Sequence, residues 1–88
     1  MATVTVEFFG IPRARAGVPE LAVRARTVAE ALVGVMKVIP NLADLLALDG
    51  LLSPHYLLSL DGGRFDVPLD EPLPPGARLL LLSADAGG

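Results

Sequence analysis

The chain contains no cysteine, which excludes disulfides, thiolate metal sites and cysteine nucleophiles at once. Its single histidine, His55, cannot build a zinc site without other good ligands nearby, and the sequence around it offers none. Basic residues are also few, seven against ten acidic, for a net charge of −3. A phosphate-backbone ligand needs clustered Lys and Arg, so nucleic acid is not an expected partner. Only Arg13, Arg15, Arg24 and Arg26 approach a cluster, and they read as a solvated face around a hairpin. No membrane span is expected. The longest apolar segment, Val28 to Ile39, is too short to cross a bilayer and carries Glu30 and Lys37. Glu7 interrupts the first apolar stretch, so no secretion signal is expected, and the reading is of a cytoplasmic protein.

What is abundant is apolar. Of 88 residues, 52% are hydrophobic, which lets one small domain fill a core. Residues 3–8 alternate as a half-buried strand, with Val4, Val6 and Phe8 on one face and Thr5, Glu7 and Phe9 on the other. Residues 10–17, punctuated by Gly and Pro, predict a loop. A second strand over residues 20–24 puts Leu21 and Val23 on one face and completes a hairpin. Thr27 and Glu30 form a capping box, in which each side chain can serve the other's backbone N–H. Val28, Ala31, Leu32, Val35, Met36 and Ile39 then mark a buried helical stripe, which Pro40 stops. Residues 42–48 suggest a short second helix ended by Gly50. Residues 56–60 predict the third strand, Asp61-Gly62-Gly63 a tight turn, and 65–67 a short fourth strand. After the rigid turn at 72–76, residues 78–83 form the last strand.

One amphipathic helix must cover one sheet, because each has a single apolar face to bury. The organisation is a domain over residues 1–83 and a tail over 84–88 with no periodicity or bulky side chain. No catalytic constellation is visible. His55 follows Pro54 with nothing to fix a nucleophile beside it. Asp61, Asp66, Asp70 and Glu71 suit turns better than a metal or an acid–base pair. The ending, Gly87-Gly88, is the unusual feature. A glycine arm can thread a channel too narrow for other residues, which suits a substrate for another enzyme's active site. Alternation also directs Phe9, Leu80 and Leu82 outward if Val6, Phe8, Leu79 and Leu81 point inward, with Phe65 near the turn as a possible neighbour.

Taken together, the opening strand, Arg15-Ala16-Gly17, Thr27-Val28-Ala29-Glu30 with Leu32, and Pro40-Asn41-Leu42 carry a resemblance. So do residues 69–73, Pro75-Gly76, the strand 79–82 and the final Gly87-Gly88. In this order they resemble the sulfur-carrier family of molybdopterin-synthase small subunits and thiamine sulfur carriers, relatives of ubiquitin. The resemblance implies an α+β, ubiquitin-like β-grasp fold, with a mixed sheet of four to five strands packed on one main helix. It implies a carrier, not an enzyme, with no bound cofactor. An E1-like adenylyltransferase would use ATP to adenylate Gly88, sulfur would convert it to a thiocarboxylate, and a sulfur-acceptor synthase subunit would receive the tail. Phe9, Phe65, Leu80, Leu82 and Ala86 would then contact partners. Molybdopterin biosynthesis is the first expectation for the pathway. The alternatives are thiamine, cysteine or tRNA thiolation, or a ubiquitin-like protein modifier.

Overall fold

The computed structural model describes residues 2–84. Strand β1 (Ala2–Phe8) buries Val4, Val6 and Phe8, the inward set that its alternation predicts. It pairs antiparallel with β2 (Glu20–Ala25), setting Val4 opposite Val23 and Val6 opposite Leu21. Between them, residues 11–16 form a short helix, α1 (Ile11–Ala16), where a loop was expected. The Gly and Pro residues mark the ends of this helix instead of preventing it. Pro12 occupies the first turn, where a missing N–H costs nothing. Gly17 takes the left-handed conformation (φ 75°) and donates its N–H to the Arg13 carbonyl, closing the last turn.

Helix α2 (Val28–Val38) begins at Thr27, whose Oγ1 accepts from the Glu30 N–H at 3.2 Å. The capping box is otherwise shifted by one residue. The Glu30 carboxylate accepts from the N–H of Arg26 at 2.7 Å, not from that of Thr27. Two more amides of the first turn are met from outside, Val28 donating to the Glu71 carbonyl and Ala29 to that of Leu69. Val28, Ala31, Leu32 and Val35 are buried against the sheet, and Met36 packs partly buried beside them. The helix ends at Val38, and Pro40 opens a 3-10 turn (Pro40–Leu42).

The expected helix over 42–48 does not form. Leu42 and Leu45 both bury, but the chain then turns back, pairing Leu46 with Leu52 and leaving Leu48 fully exposed. A segment with one apolar turn cannot offset the cost of nucleating a helix.

β3 (Tyr56–Leu60) and β4 (Arg78–Ser83) complete the sheet in the order β2-β1-β4-β3, with β1 and β4 parallel and both outer pairs antiparallel. After β3, Asp61 (φ 54°) and Gly62 (φ 79°) supply the positive-φ turn. The strand expected over 65–67 is absent, and the return is limited to one bridge between Leu60 and Arg64. Pro68 forbids extension of a ladder there, and the Arg64 guanidinium is held by both Glu71 carboxylate oxygens (3.1 and 3.3 Å). The result is a four-stranded mixed sheet with α2 across its inward face, in which Leu79 and Leu81 at the centre are fully buried. Among the described residues no helix is long and apolar enough to cross a membrane.

Candidate functional site

The site is assembled by strand register on the sheet face away from α2. β4 is central, with Leu79 and Leu81 inward, so Leu80 and Leu82 emerge on the opposite face, each half-buried. Glu7 lies opposite Leu80 and Phe8 opposite Leu81, and the Phe9 N–H donates to the Leu81 carbonyl at 3.0 Å. Phe9 therefore sits next to Leu82. On the other side, β3 sets Leu57 opposite Leu82 and Ser59 opposite Leu80. Phe9, Leu82 and Leu57 thus form one row across three strands, with Phe9 38% and Leu57 43% exposed. Large apolar side chains left in water in such a row make it the candidate contact surface of the described residues.

Phe9, Leu80 and Leu82 lie on the outer face as alternation predicts, Leu80 beside the row between Glu7 and Ser59, and the row adds Leu57, which the sequence reading left out. The signal was present: if Tyr56, Leu58 and Leu60 face the core, Leu57 must face out. Phe65 is 56% exposed but belongs to the turn after β3, not to a strand, so the register does not place it in the row. Beside the row, Ser59 is fully buried and its hydroxyl has no hydrogen-bond partner. At the start of β4, Arg78 pairs with Glu7 of β1 and Glu20 of β2, so the patch has a charged rim.

A second feature lies where β4 ends. The Tyr56 hydroxyl donates to Asp44 Oδ1 at 2.6 Å and accepts from Arg15 at 2.6 Å, and Arg15 also reaches Asp44 Oδ2 at 3.2 Å. These three residues, with Ile11, His55 and Ser83, line a cavity of about 170 Å3. The Tyr56 hydroxyl and the Arg15 cation hold the Asp44 carboxyl below its ordinary range. Burial, and then the hydrogen bond to Asp44 and its charge, push the Tyr56 phenol up to about 12. A phenol locked in its protonated form is a clasp, not a general base. The clasp ties α1 and the loop after the 3-10 turn to the start of β3, where Tyr56 lies opposite Ser83 and the Ala84 N–H donates to the His55 carbonyl at 2.9 Å.

Nothing among the described residues forms a conventional catalyst. His55 is exposed, with its backbone N–H on Ser53 Oγ at 3.3 Å, and among the described residues no group of three His, Asp or Glu side chains could hold a metal. Of the predicted acidic cluster, Asp61 accepts from the Arg78 N–H and Glu71 pairs with Arg64, both structural tasks. Ala86, Gly87 and Gly88 lie outside the described residues.

No family model matches the chain, and no curated protein matches it in sequence. Solved structures do. The small archaeal modifier protein 1 of Methanosarcina acetivorans superposes with a TM-score of 0.85 at 23% identity, covering 100% of this chain and 98% of its own. A chain of the BexX/CysO complex of Amycolatopsis orientalis gives 0.79 at 25% identity, covering 97% and 99%. A Pyrococcus furiosus protein described as molybdopterin converting factor subunit 1 gives 0.76 at 20% identity, covering 94% and 98%. Both chains are spanned nearly end to end in each case, so the resemblance read from the sequence is also one of architecture, and the chain is a ubiquitin-like β-grasp domain.

Proposed function

We propose that this protein is a sulfur carrier whose reagent is the Gly88 carboxylate. The observation that carries the reading is positional. Gly87-Gly88 follow the central strand β4 in the sequence, and that strand's outer face presents Leu82 within the exposed apolar row with Leu80 beside it. Residues 1–83 act as the handle and 84–88 as the tail. An E1-like adenylyltransferase binds the Phe9–Leu82–Leu57 row, with Phe65 at its edge, while the tail enters its active site. The Gly88 carboxylate attacks the α-phosphorus of ATP and pyrophosphate leaves. The outer sulfur of a persulfide donor then attacks the acyl carbon and AMP leaves, giving an acyl disulfide. A second thiol attacks the donor's own sulfur, forming a disulfide with the donor and releasing Gly88 as the thiocarboxylate. A synthase subunit takes up the tail, Ala86 lining its entry, and uses the sulfur as a nucleophile. The carrier itself supplies no catalytic side chain and holds no cofactor. The likeness to a molybdopterin converting factor subunit supports molybdopterin synthesis as the pathway.

A second reading has its own support. Several of the superposing structures are named as small archaeal modifiers, so Gly88 joined to lysines of target proteins fits the same fold. Denaturing gels of a tagged chain in its host separate the two. Covalent ladders that vanish on Gly88 deletion favour the modifier, and a single unmodified band favours the carrier. The carrier reading is tested by intact mass measurement after incubation with ATP, the activating enzyme and a sulfur donor.

A further inference from the structure

The ladder between β3 and β4 ends on a rung that is half made. Tyr56 lies opposite Ser83 and Leu57 opposite Leu82, and the Ala84 N–H donates to the His55 carbonyl at 2.9 Å. The hydrogen-bonded pairs of this ladder are therefore Ser59–Leu80, Leu57–Leu82 and His55–Ala84. Such a pair ordinarily exchanges two bonds. Here the His55 N–H is turned to Ser53 Oγ at 3.3 Å, so the last pair keeps one. Its acceptor precedes the first residue of β3, and β3 is an edge strand with no further strand beyond it to hold His55.

What fixes His55 is its own turn and its neighbour Tyr56. The Tyr56 N–H donates to the Ser53 carbonyl at 3.1 Å, and the buried ring carries its hydroxyl to Asp44 and Arg15, both at 2.6 Å. A tyrosine hydroxyl has a proton to give and lone pairs to accept with, and both are used. Asn41 Nδ2 donates to the Arg15 carbonyl at 3.3 Å, which ties α1 to the 3-10 turn as well. His55 and Ser83 line the same cavity as the three clasp residues, so the clasp and the last rung border one space.

We propose that Tyr56, held by Asp44 and Arg15, is a positioning residue that keeps the His55–Ala84 rung closed and so sets where the chain leaves the sheet. With the rung closed, the four residues after Ala84 span at most about 14 Å. With it open, the last hold retreats to the Leu57–Leu82 pair, and the six residues after Leu82 span at most about 22 Å. If Gly88 is the reagent, as the carrier reading has it, the clasp bounds the reach of the reacting carboxylate from the docked row. A short, fixed reach delivers that carboxylate at one depth, which acts on rate and not on affinity.

The test uses the full chain, isotope-labelled, with backbone amide order parameters measured for the wild type, Tyr56→Phe, Asp44→Ala, Asp44→Asn and Thr27→Ala. In the wild type the Ala84 amide should be as rigid as that of Leu82, with an order parameter of about 0.85. In Tyr56→Phe and Asp44→Ala it should fall below about 0.6 while Leu82 stays rigid. Asp44→Asn keeps an acceptor for the Tyr56 hydroxyl and should keep Ala84 rigid. Thr27→Ala weakens the fold through the α2 cap, away from the clasp, and should leave Ala84 unchanged. In activation of Gly88, Tyr56→Phe should lower kcat roughly tenfold at unchanged KM. A mobile Ala84 in the wild type, or a rigid one in folded Tyr56→Phe or Asp44→Ala, overturns the proposal. So does equal loosening in Thr27→Ala, or a loosened Ala84 with kcat unchanged. The order parameters need neither Gly88 nor an activating enzyme. A wild type that is never activated therefore counts against the carrier reading, and the hold on Ala84 is still decided.

Discussion

Phe9 and Leu82 sit side by side on the outer face of two parallel strands, placed there by the hydrogen bond from the Phe9 N–H to the Leu81 carbonyl. Neither side chain has a place in the core, which Phe8 and Leu81 already fill. If the row docks an activating enzyme, Leu57→Asp retains the fold and sharply lowers activation of Gly88. The expected loss is roughly 10–100-fold in kcat/KM, the size of a lost interface anchor. Circular dichroism and adenylation kinetics check it together, and a folded Leu57→Asp chain activated at the normal rate would remove Leu57 from the surface.

The clasp between Tyr56 and Asp44 predicts a pH dependence with two limbs. Asp44 titrates below its ordinary value in the folded state, so its contribution is present above that value and is lost as pH falls through the folded one. Tyr56 is raised from 10.0 to about 12, so its contribution is complete below pH 10 and disappears as pH rises towards 12. Tyr56→Phe removes the alkaline limb and costs about 1–3 kcal/mol near neutrality. Denaturant unfolding at stepped pH reads both effects.

Leu32 is fully buried in the middle of α2, and Leu32→Ala should destabilise by about 2–5 kcal/mol through lost burial and the cavity left behind. Thr27→Ala, which removes only the cap, should cost about 1 kcal/mol. The two midpoints in a urea titration should therefore separate clearly, with Leu32→Ala the lower.

Ser59 holds an unpartnered hydroxyl in full burial beside Leu80. Ser59→Ala removes a desolvated polar group with little loss of volume, so it should stabilise the chain by about 1 kcal/mol, measurable by the same titration.

Most of the architecture was readable locally. Strand β1 declares itself by a period of two, β3 and β4 by short apolar runs bounded by turn residues, and α2 by its cap, its stripe and Pro40. The errors share a cause. The segments 10–17, 42–48 and 65–67 are too short for periodicity to decide, so proline and glycine geometry and tertiary contacts decided instead. Gly10 and Gly17 bracket a helix that looks like a loop, and Pro68 with the Arg64–Glu71 pair stops a strand that alternation suggested. The clasp was illegible for a different reason. Asp44 and Arg15 reach Tyr56 across 12 and 41 residues, and no local pattern encodes such a meeting. Leu57, by contrast, could have been found by completing the alternation already used for Tyr56 and Leu58.

The role of the last residue is tested most directly by its mass. After incubation with ATP, an activating enzyme proven on its own carrier, and a persulfide donor, the intact chain should gain the difference between sulfur and oxygen. A chain lacking Gly88 should fold normally and gain nothing. An unchanged mass in the intact chain, or an equal gain without Gly88, would contradict the assignment of its terminal carboxylate as the sulfur-bearing group.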